Sequence, residues 1–504
     1  MSSILSQLHA KYASKNWNET FQLVRKCMDK SRDDSAPCQP LVATLERLQE
    51  VFKVSSINAM RSRLELAAQR QGMGFHFTEA TCYLTADLFY VEAALLPCGG
   101  VDEVTVAPHG GAPSRSEILL QPLRSKDFSE FSARLKDLAS QYDVPGDNDV
   151  KFKLFTAFQH LRKDMQAISH LPRVASGNSS RQMADIINDS LFGCLLAEQA
   201  DCPLTIHFYS PPTSEANGVN FADKQAARVA VRSSHVSHKL QMASVVPLPL
   251  QLDPEGFPVL SPTSEVAHET LPACFVLRLK PTIPTLRSFV DKINQITGVA
   301  VPDHDVQWAQ FRNLLAQDSI SHCSPEDELD RFCAALLPGD VTHTYVFPAE
   351  AWEAASHAGV ALDAVPFTHA AHVPRLVELL RHQCAINTLL KSCMSQGPVS
   401  DCDHHFEVRP EADTDFSVTF QRPDKNSLAI LLVGIADSQN ITCRLYGAGI
   451  GDSSRDEYIA SIMRRCMSIP LSLHALYEKM KLTAAAPPDS EKDSTTSLCV
   501  PIED

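Results

Sequence analysis

The chain has 504 residues, of which 44% are hydrophobic and 21% charged, and its net charge is −15. This composition excludes wholesale disorder and leaves room for two to four domains of about 150 residues each. The acidic balance argues against a general nucleic-acid binder, whose surface would be basic. The longest apolar run, Leu428–Ala436, is about ten residues too short to span a bilayer, so no membrane segment is expected.

Charge and cysteine usage narrow the class of protein further. Residues 1–75 hold 11 lysines and arginines against 7 acidic residues, so a basic front precedes an acidic body. Such a front could face an acidic partner, but an ordinary solvated helical surface is the simpler interpretation. The 15 cysteines are odd in number and include no CxxC pair. This usage predicts reduced thiols, typical of the cytosol or nucleus, rather than a secreted disulfide framework.

Apolar periodicity predicts helices at the start of the chain and mixed structure after it. Within residues 1–75, three amphipathic helices are expected: Ser3–Met28, Pro40–Lys53 and Ile57–Arg70. Residues 76–170 should contain an antiparallel pair of strands and two helices, in this order: Thr81–Leu96, Val101–Ala107, Phe128–Gln141 and Val150–His170. Residues 171–270 are rich in Ser and Pro, which predicts long surface loops with short strands, at Leu204–Tyr209 and Arg228–Val231 among others.

Residues 271–480 return to a dense mixture of strands and helices. A strand is expected at Ala273–Leu279, followed by two helices, Pro284–Thr297 and Val373–Cys393. Four short strands then form a meander, over Phe406–Pro410, Asp415–Gln421, Ser427–Ile435 and Ile441–Tyr446. Two helices close the segment, at Arg455–Met467 and Leu473–Met480, and residues 481–504 are predicted to be a disordered tail. The loose alternation of elements favours an α+β fold over a doubly wound sheet.

The sequence carries no strong catalytic motif. It lacks a phosphate loop, a nucleophile elbow, an HExxH helix and a kinase signature set, so we expect no enzyme and no cofactor. The nearest glycine motif is Gly447–Gly451 (GAGIG), between a predicted strand and a predicted helix. There, backbone N–H groups could hold a phosphate, and a nucleotide-binding enzyme is therefore the alternative function. The spacing is one residue short of the dinucleotide fingerprint, which favours an ordinary tight loop.

Three groups of residues could supply metal ligands. They are Cys402–His405 with Cys393 nearby, His235 with His238, and His369 with His372. Thiolate, carboxylate and imidazole all suit zinc, but adjacent residues cannot readily point at one ion. Neither histidine pair is accompanied by the rest of a ligand set. We therefore expect polar loops and no metal site.

The best-formed interaction motif is an LxxLL sequence made by Leu376, Leu379 and Leu380. It lies inside the predicted helix Val373–Cys393, which places the three leucines on one face. Such a face fits a hydrophobic groove on a nuclear receptor or a similar partner. The favoured alternative is that these leucines continue the apolar stripe of one long helix and pack in the protein's own core. A second match, Leu428–Leu432, is predicted to be a buried strand.

Several short stretches, taken in order, resemble one known family. They are Met1–Leu5 with Leu8–Lys11, Trp17–Thr20 with Leu23–Arg25, Cys82–Asp87 with Phe89–Glu92, Pro145–Asn148, Leu271–Phe275, Arg381–Gln383 and Arg465–Pro470. In this order and spacing they are similar to the conserved N-terminal domain of subunit 1 of the Mediator complex of RNA polymerase II transcription. The resemblance runs from about residue 1 to residue 480, nearly the whole chain.

The resemblance implies a non-enzymatic nuclear coactivator subunit. Such a subunit sits with the Mediator middle module, contacts other Mediator subunits, and links DNA-bound activators, nuclear receptors especially, to the polymerase machinery. It implies no direct contact with nucleic acid or a membrane. It also accounts for the lack of catalytic motifs.

The sequence departs from the family pattern at its end. Animal members carry a long disordered tail, and their receptor-binding LxxLL boxes lie in that tail. This sequence ends at Asp504 and has no such box after Met480. We therefore expect either a short form that keeps complex assembly, which could compete with the full-length subunit, or a truncated gene model. Receptor contact is correspondingly weakened, and Leu376–Leu380 is not promoted to replace the missing boxes.

Overall fold

The structure is a computed structural model, and it describes most of the chain beyond residue 55. The described residues are 22, 56–169, 187–191, 193–196, 203–211, 225–254, 256–301, 307–316, 331–334, 337, 341–394, 404–423, 427–447 and 453–485. The chain divides into two compact units, the first formed by Met1–Thr156 with Leu196–Pro203 and the second by Ala157–Leu195 with Leu204–Asp504. None of the helices within the described ranges is long and apolar enough to cross a membrane.

The first unit is built on a five-stranded antiparallel sheet. Its elements in chain order are α1 (Ile57–Arg70), β1 (Gly74–Phe77), β2 (Thr81–Thr85), β3 (Phe89–Leu95), β4 (Val101–Pro108), β5 (Ser114–Arg115), α2 (Glu117–Arg124), α3 (Phe128–Ala139) and the start of α4 (Asn148–Ser169). The strands lie in sequence order, each antiparallel to the next. Alternate residues of β3 are buried, and they share one core with α1, α2 and α3. The sheet is therefore covered by helices on one face, as expected for an α+β arrangement.

Local sequence explains the ends of these helices. Ser56 caps α1, since its hydroxyl accepts a hydrogen bond from the Ala59 N–H, and Gly72 ends it in the left-handed conformation (φ +67°). The predicted helix Ile57–Arg70 is confirmed, whereas the two earlier predicted helices lie outside the described residues. The stretch predicted as one strand, Thr81–Leu96, is two strands joined by a turn. Helix α2 was not predicted, because Pro122 inside it is normally a helix breaker.

The second unit contains two six-stranded sheets. Its elements are the remainder of α4, β6 (Cys194–Leu196), β7 (Thr205–Tyr209), β8 (Gln225–Gln241), β9 (Gln251–Leu252), β10 (Pro258–Val259), β11 (His268–Leu286), α5 (Arg287–Thr297), β12 (Ala309–Gln310), α6 (Phe311–Ala316), β13 (Arg331–Ala334), β14 (His343–Val346), α7 (Ala349–Trp352), β15 (Ala358–Phe367), α8 (His372–Lys391), β16 (His404–Pro410), β17 (Asp415–Gln421), β18 (Leu428–Ile435), β19 (Ile441–Tyr446), α9 (Ser453–Cys466) and α10 (Ile469–Ala485). One sheet has the order β12-β15-β11-β8-β7-β6, and the other has the order β13-β14-β16-β17-β18-β19. Strands β9 and β10 form a separate small hairpin.

Two strands in the second unit are much longer than predicted. Strand β8 has 17 residues and β11 has 19, and they pair along most of their length. The prediction that a helix begins at Pro284 is wrong, because the strand continues to Leu286 and α5 begins at Arg287. Prolines within β11 obscure the strand pattern, and the pairing with β15 shifts register between Arg278 and Ile283. The predicted meander is confirmed as β16 to β19.

The sheet of order β13-β14-β16-β17-β18-β19, here called the C-terminal sheet, packs its inner face against helices. The inner residues of β16 to β19 form one core with α8, α9 and α10. Helix α8 is buried on nearly every side, since 14 of its 20 residues are buried. The predicted tail begins too early, because α10 continues to Ala485, while residues 486–504 lie outside the described residues. The finer segment boundaries predicted from the sequence stay predictions.

A buried histidine lies in this core, on β14. His343 is fully buried, its Nδ1 lies 3.1 Å from the Tyr345 hydroxyl, and its Nε2 has no hydrogen-bond partner among the described residues. The rings of His404 and His474 lie with their centroids 5.7 and 6.4 Å from that of His343. Burial and then these two neighbours lower the pKa of His343 to about 3. His343 is therefore neutral in the folded protein at neutral pH.

We expect acid to destabilise the second unit through His343. Below pH 6.5 the unfolded chain takes up a proton at this histidine, whereas the folded chain accepts it only near pH 3. The free energy of unfolding therefore decreases as the pH is lowered from 6.5 towards 3. Between pH 6.5 and pH 5, the wild type should lose about 2 kcal/mol of unfolding free energy through His343, and His343→Phe should lack this part of the loss. Urea unfolding at several pH values measures this effect.

The matched control for this prediction is His405→Gln. His405 is exposed on the strand that pairs with β14, and its replacement should leave the wild-type pH dependence in place. Equal pH dependence in the wild type and in His343→Phe would contradict the assignment.

Candidate partner-binding helix and its surroundings

The LxxLL leucines lie in the first half of α8. Leu376 and Leu380 are almost fully buried, at 0% and 1% exposure, and Leu379 is partly buried against the C-terminal core. The motif is therefore on a helix, as predicted, but its side chains are packed in the protein. Groove binding by these three leucines stays a prediction, and it would require this part of α8 to leave the core. The second match, Leu428–Leu432, is in strand β18.

Arg381 is a buried polar residue of α8 that contacts backbone rather than a partner. Its guanidinium donates to the Phe208 carbonyl on β7 (2.7 Å) and to the carbonyls of Ile187 (2.7 Å) and Ser190 (2.8 Å). The side chain is only 2% exposed. Its planar fork can donate several hydrogen bonds at once, which suits it to hold three separate carbonyl groups.

The next two residues of α8 contact different elements. His382 donates from Nε2 to the Ile435 carbonyl at the end of β18 (2.7 Å). Gln383 accepts from the Leu286 N–H where β11 meets α5 (3.1 Å). Because successive helix residues point about 100° apart, these three side chains reach three directions. Burial lowers the pKa of His382, so its neutral form is favoured in this core.

Gln383 also begins a short chain of amide contacts. Its Nε2 donates to Asn387 Oδ1 (2.9 Å), and Asn387 Nδ2 donates to the Pro284 carbonyl (2.8 Å). At the next residue, the Thr388 hydroxyl lies 2.9 Å from the Tyr209 hydroxyl on β7. Hydrogen bonds thus connect helix α8 to β7 and β11 of one sheet and to β18 of the other. The sequence did not reveal these contacts, since polar residues in a helix usually indicate a solvated face.

The glycine motif Gly447–Gly451 lies only partly within the described residues. Strand β19 precedes it and α9 follows it, as predicted, and Gly447 is its single described member. In the first turn of α9, the Asp456 carboxylate accepts from the Leu445 N–H of β19 (2.9 Å). This contact joins strand and helix directly, and it fits a structural turn as the sequence spacing did.

The possible metal ligands are dispersed or engaged elsewhere. Cys402 and Asp403 lie outside the described residues, while His404 packs on Tyr477 and Cys393 is buried. His238 lies 3.2 Å from the Ser234 hydroxyl. His369 donates to the Ser261 carbonyl (3.0 Å). In the part of the chain that the structure describes, no group of three or more His, Cys, Asp or Glu side chains is placed to hold a metal ion.

Cavities in the two units are polar or small. A cleft of about 570 Å³ in the first unit is lined by Gln71, Lys136, Asp143 and the ion pair of Asp87 with Lys151 (2.7 Å), among others. A cavity of about 160 Å³ in the second unit lies beside Tyr209 and Cys384. Burial raises the pKa of the Cys384 thiol, so the nucleophilic thiolate is disfavoured there. These cavities do not assemble a recognisable catalytic group.

Comparison with known proteins identifies the family. A family model described as Mediator of RNA polymerase II transcription subunit 1 matches residues 42–395. The chain belongs to the Mediator subunit 1 family. It is 32% identical over 515 residues to the proteins of that name from Xenopus tropicalis and Xenopus laevis, covering 97% of this chain and 32% of each relative. The Drosophila melanogaster protein is 26% identical over 498 residues, covering 94% of this chain and 33% of that relative.

The chain therefore spans about a third of the length of the curated Mediator subunit 1 relatives it matches. Two of the stretches that carry the resemblance lie at structural junctions. In Pro145–Asn148, Gly146 has φ +107° and Asp147 accepts from the Val150 N–H, which starts α4. In Arg465–Pro470, the Ile469 N–H donates to the Ser392 hydroxyl (3.1 Å), which joins the start of α10 to the end of α8.

We expect Leu380→Ala to destabilise the second unit. Truncation of this buried leucine leaves a cavity in the core and should cost about 2–5 kcal/mol. Glu378→Ala, on the exposed side of the same helix, is the matched control and should change little. Thermal and urea unfolding give the comparison. A fully stable Leu380→Ala variant that lost a partner would instead favour the groove-binding hypothesis.

A second prediction concerns Arg381→Met. The substitution keeps the length of the stem but leaves three carbonyl oxygens without this donor, so unfolding free energy should fall by about 3 kcal/mol or more. Arg375→Met tests the same change on the exposed side of α8, where the ion pair with Asp253 (3.7 Å) should contribute less than about 1 kcal/mol. Equal losses for both variants would contradict a special role for Arg381.

Proposed function

We propose that this protein is a non-enzymatic subunit of the Mediator complex and acts there as a scaffold in transcription by RNA polymerase II. The observation that carries the proposal is the family match over residues 42–395, which includes β1 to β15 and all of α8. The relatives are named as subunits of the Mediator complex, and the partners proposed for this chain are therefore other Mediator subunits. The proposed location is the nucleus, where that transcription takes place.

The architecture supports a scaffold role. The second unit contains two six-stranded sheets and the buried helix α8. Polar side chains of α8, such as Arg381 and His382, form hydrogen bonds to backbone groups inside this unit. A rigid body of this kind can present its surface residues to neighbours without reordering, which reduces the entropy lost on assembly. The acidic net charge of −15 suits contacts with proteins rather than with nucleic acid.

The finer part of the proposal is placement with the middle module and a link to activators such as nuclear receptors. The resemblance supports this placement, and an activator link through Leu376–Leu380 is the weaker part, because Leu376 and Leu380 are buried. We therefore propose assembly with neighbouring subunits as the primary activity. Activator contact is secondary, and it would use other surfaces.

Affinity purification from nuclear extract tests this function. The full chain, carrying an affinity tag, should recover Mediator subunits, with middle-module subunits in the highest yield, as identified by mass spectrometry. Leu380→Ala provides a matched control for folding, because loss of the core should reduce recovery without touching an exposed residue. A wild-type chain that is folded and yet absent from every Mediator preparation would overturn the proposal.

A further inference from the structure

On the outer face of the C-terminal sheet, strand β18 exposes apolar side chains at positions where a solvent-facing strand normally has polar ones. The helices that the structure describes cover the inner face, on which Ala429, Leu431 and Val433 are almost fully buried. On the outer face, β18 presents Leu428 (66% exposed), Ile430 (41%) and the half-buried Leu432. An antiparallel sheet with one covered face normally alternates apolar and polar residues.

The neighbouring strands show that this apolar set is local. Ile430 lies opposite Tyr446 of β19, which is 50% exposed, and Leu432 lies opposite Arg444. On the other side of β18, the outward residues of β17 are polar, with Thr419 opposite Ile430 and Gln421 opposite Leu428. We call the set Leu428, Ile430, Leu432, Arg444 and Tyr446 the β18 face.

Charge on this part of the sheet is uneven. The Arg444 side chain has no hydrogen bond or ion pair with another described residue, and β18 and β19 contain no acidic residue. Carboxylates lie at both edges of this region and are engaged there. Glu407 pairs with Arg409, Glu411 accepts from the Ser417 hydroxyl, and Asp456 accepts from the Leu445 N–H of β19. Asp415 lies over Gly434 at one end. Arg444 is therefore the one charged member of the β18 face, and no carboxylate among the described residues pairs with it.

We propose that the β18 face binds an amphipathic segment of another Mediator subunit, with apolar side chains over β18 and a carboxylate over Arg444. This inference rests on the proposed function and names the chemistry of one partner contact. Exposed aliphatic residues beside a tyrosine and an arginine have the composition of an interface centre. A second copy of the same face would bring no carboxylate from β18 or β19 to Arg444, so self-association is disfavoured.

Removal of the apolar side chains tests the surface. In Leu428→Thr, Ile430→Thr and Leu432→Thr combined, the β-branched residues keep strand propensity while apolar area is lost. Recovery of at least one Mediator subunit by the tagged full chain should fall about tenfold or more, as measured by quantitative mass spectrometry. The matched control is Val236→Thr with Leu252→Thr, two exposed apolar strand residues elsewhere (64% and 49%), which should retain full recovery.

A charge reversal tests the carboxylate. Arg444→Glu should reduce recovery of the same subunit several-fold, and the wild-type interaction should weaken as salt is raised. Lys239→Glu reverses an exposed charge on β8 and should have no effect. Thermal unfolding of every variant should match the wild type, because the substituted side chains lie outside the core. A variant that unfolds early is replaced by its single substitutions, of which Leu428→Thr is the most exposed.

A photo-crosslinking residue in place of Tyr446 identifies the occupant. An adduct with a segment of another Mediator subunit that contains apolar and acidic residues supports the proposal. An adduct with residues 486–504 of the same chain, an adduct with a second copy, or no adduct overturns it. If the wild-type chain recovers Mediator and the β18 variants recover it equally well, the docking surface is wrong while the proposed function stands. If the wild type recovers no Mediator subunit, the proposed function itself fails.

Discussion

The position of helix α8 depends on three consecutive buried polar side chains. Arg381, His382 and Gln383 each bond to the backbone of a different part of the second unit: β7 with the residues before it, the end of β18, and the β11–α5 junction. A helix surrounded by apolar side chains alone could rotate or slide at small cost, since hydrophobic burial is non-directional. Hydrogen bonds in three directions fix both its rotation and its height, because each bond left unmade would cost about 1–3 kcal/mol.

This constraint explains why the LxxLL leucines are not a free binding motif in the structure. Leu380 immediately precedes Arg381 and Leu376 lies between one and two turns before it, on a helix whose position is set by Arg381 and its neighbours. Exposure of the leucines would require α8 to tilt out of the core. This would break the hydrogen bonds of Arg381, His382 and Gln383, the polar triplet. Arg381, His382 and Gln383 also form one of the stretches that carry the family resemblance, and in this structure all three side chains are bonded inside the second unit.

Local sequence predicted those elements that local physics determines. Helix α1 has its own serine cap and terminal glycine, and the meander β16–β19 alternates with clear turns. Strand β11 was underestimated because its prolines interrupt the pattern, while its long partner β8 supplies the pairing that sequence cannot show. The polar triplet of α8 was also invisible as a core feature, since arginine, histidine and glutamine in a helix ordinarily face water. Its partners lie up to 194 residues away in the chain.

Strand β18 also shows what the sequence alone could not predict, because some of its apolar residues are exposed. Its run of apolar residues predicted a buried strand, because a continuous apolar stretch is typical of such strands. The described helices cover one face, and alternate residues of the same run are core and surface. The inner set would be retained in any stable fold, whereas exposed leucine and isoleucine contribute little to the isolated chain and increase its tendency to associate. That cost is removed when a neighbour covers the surface, and beside it lies the Arg444 side chain, which has no partner among the described residues.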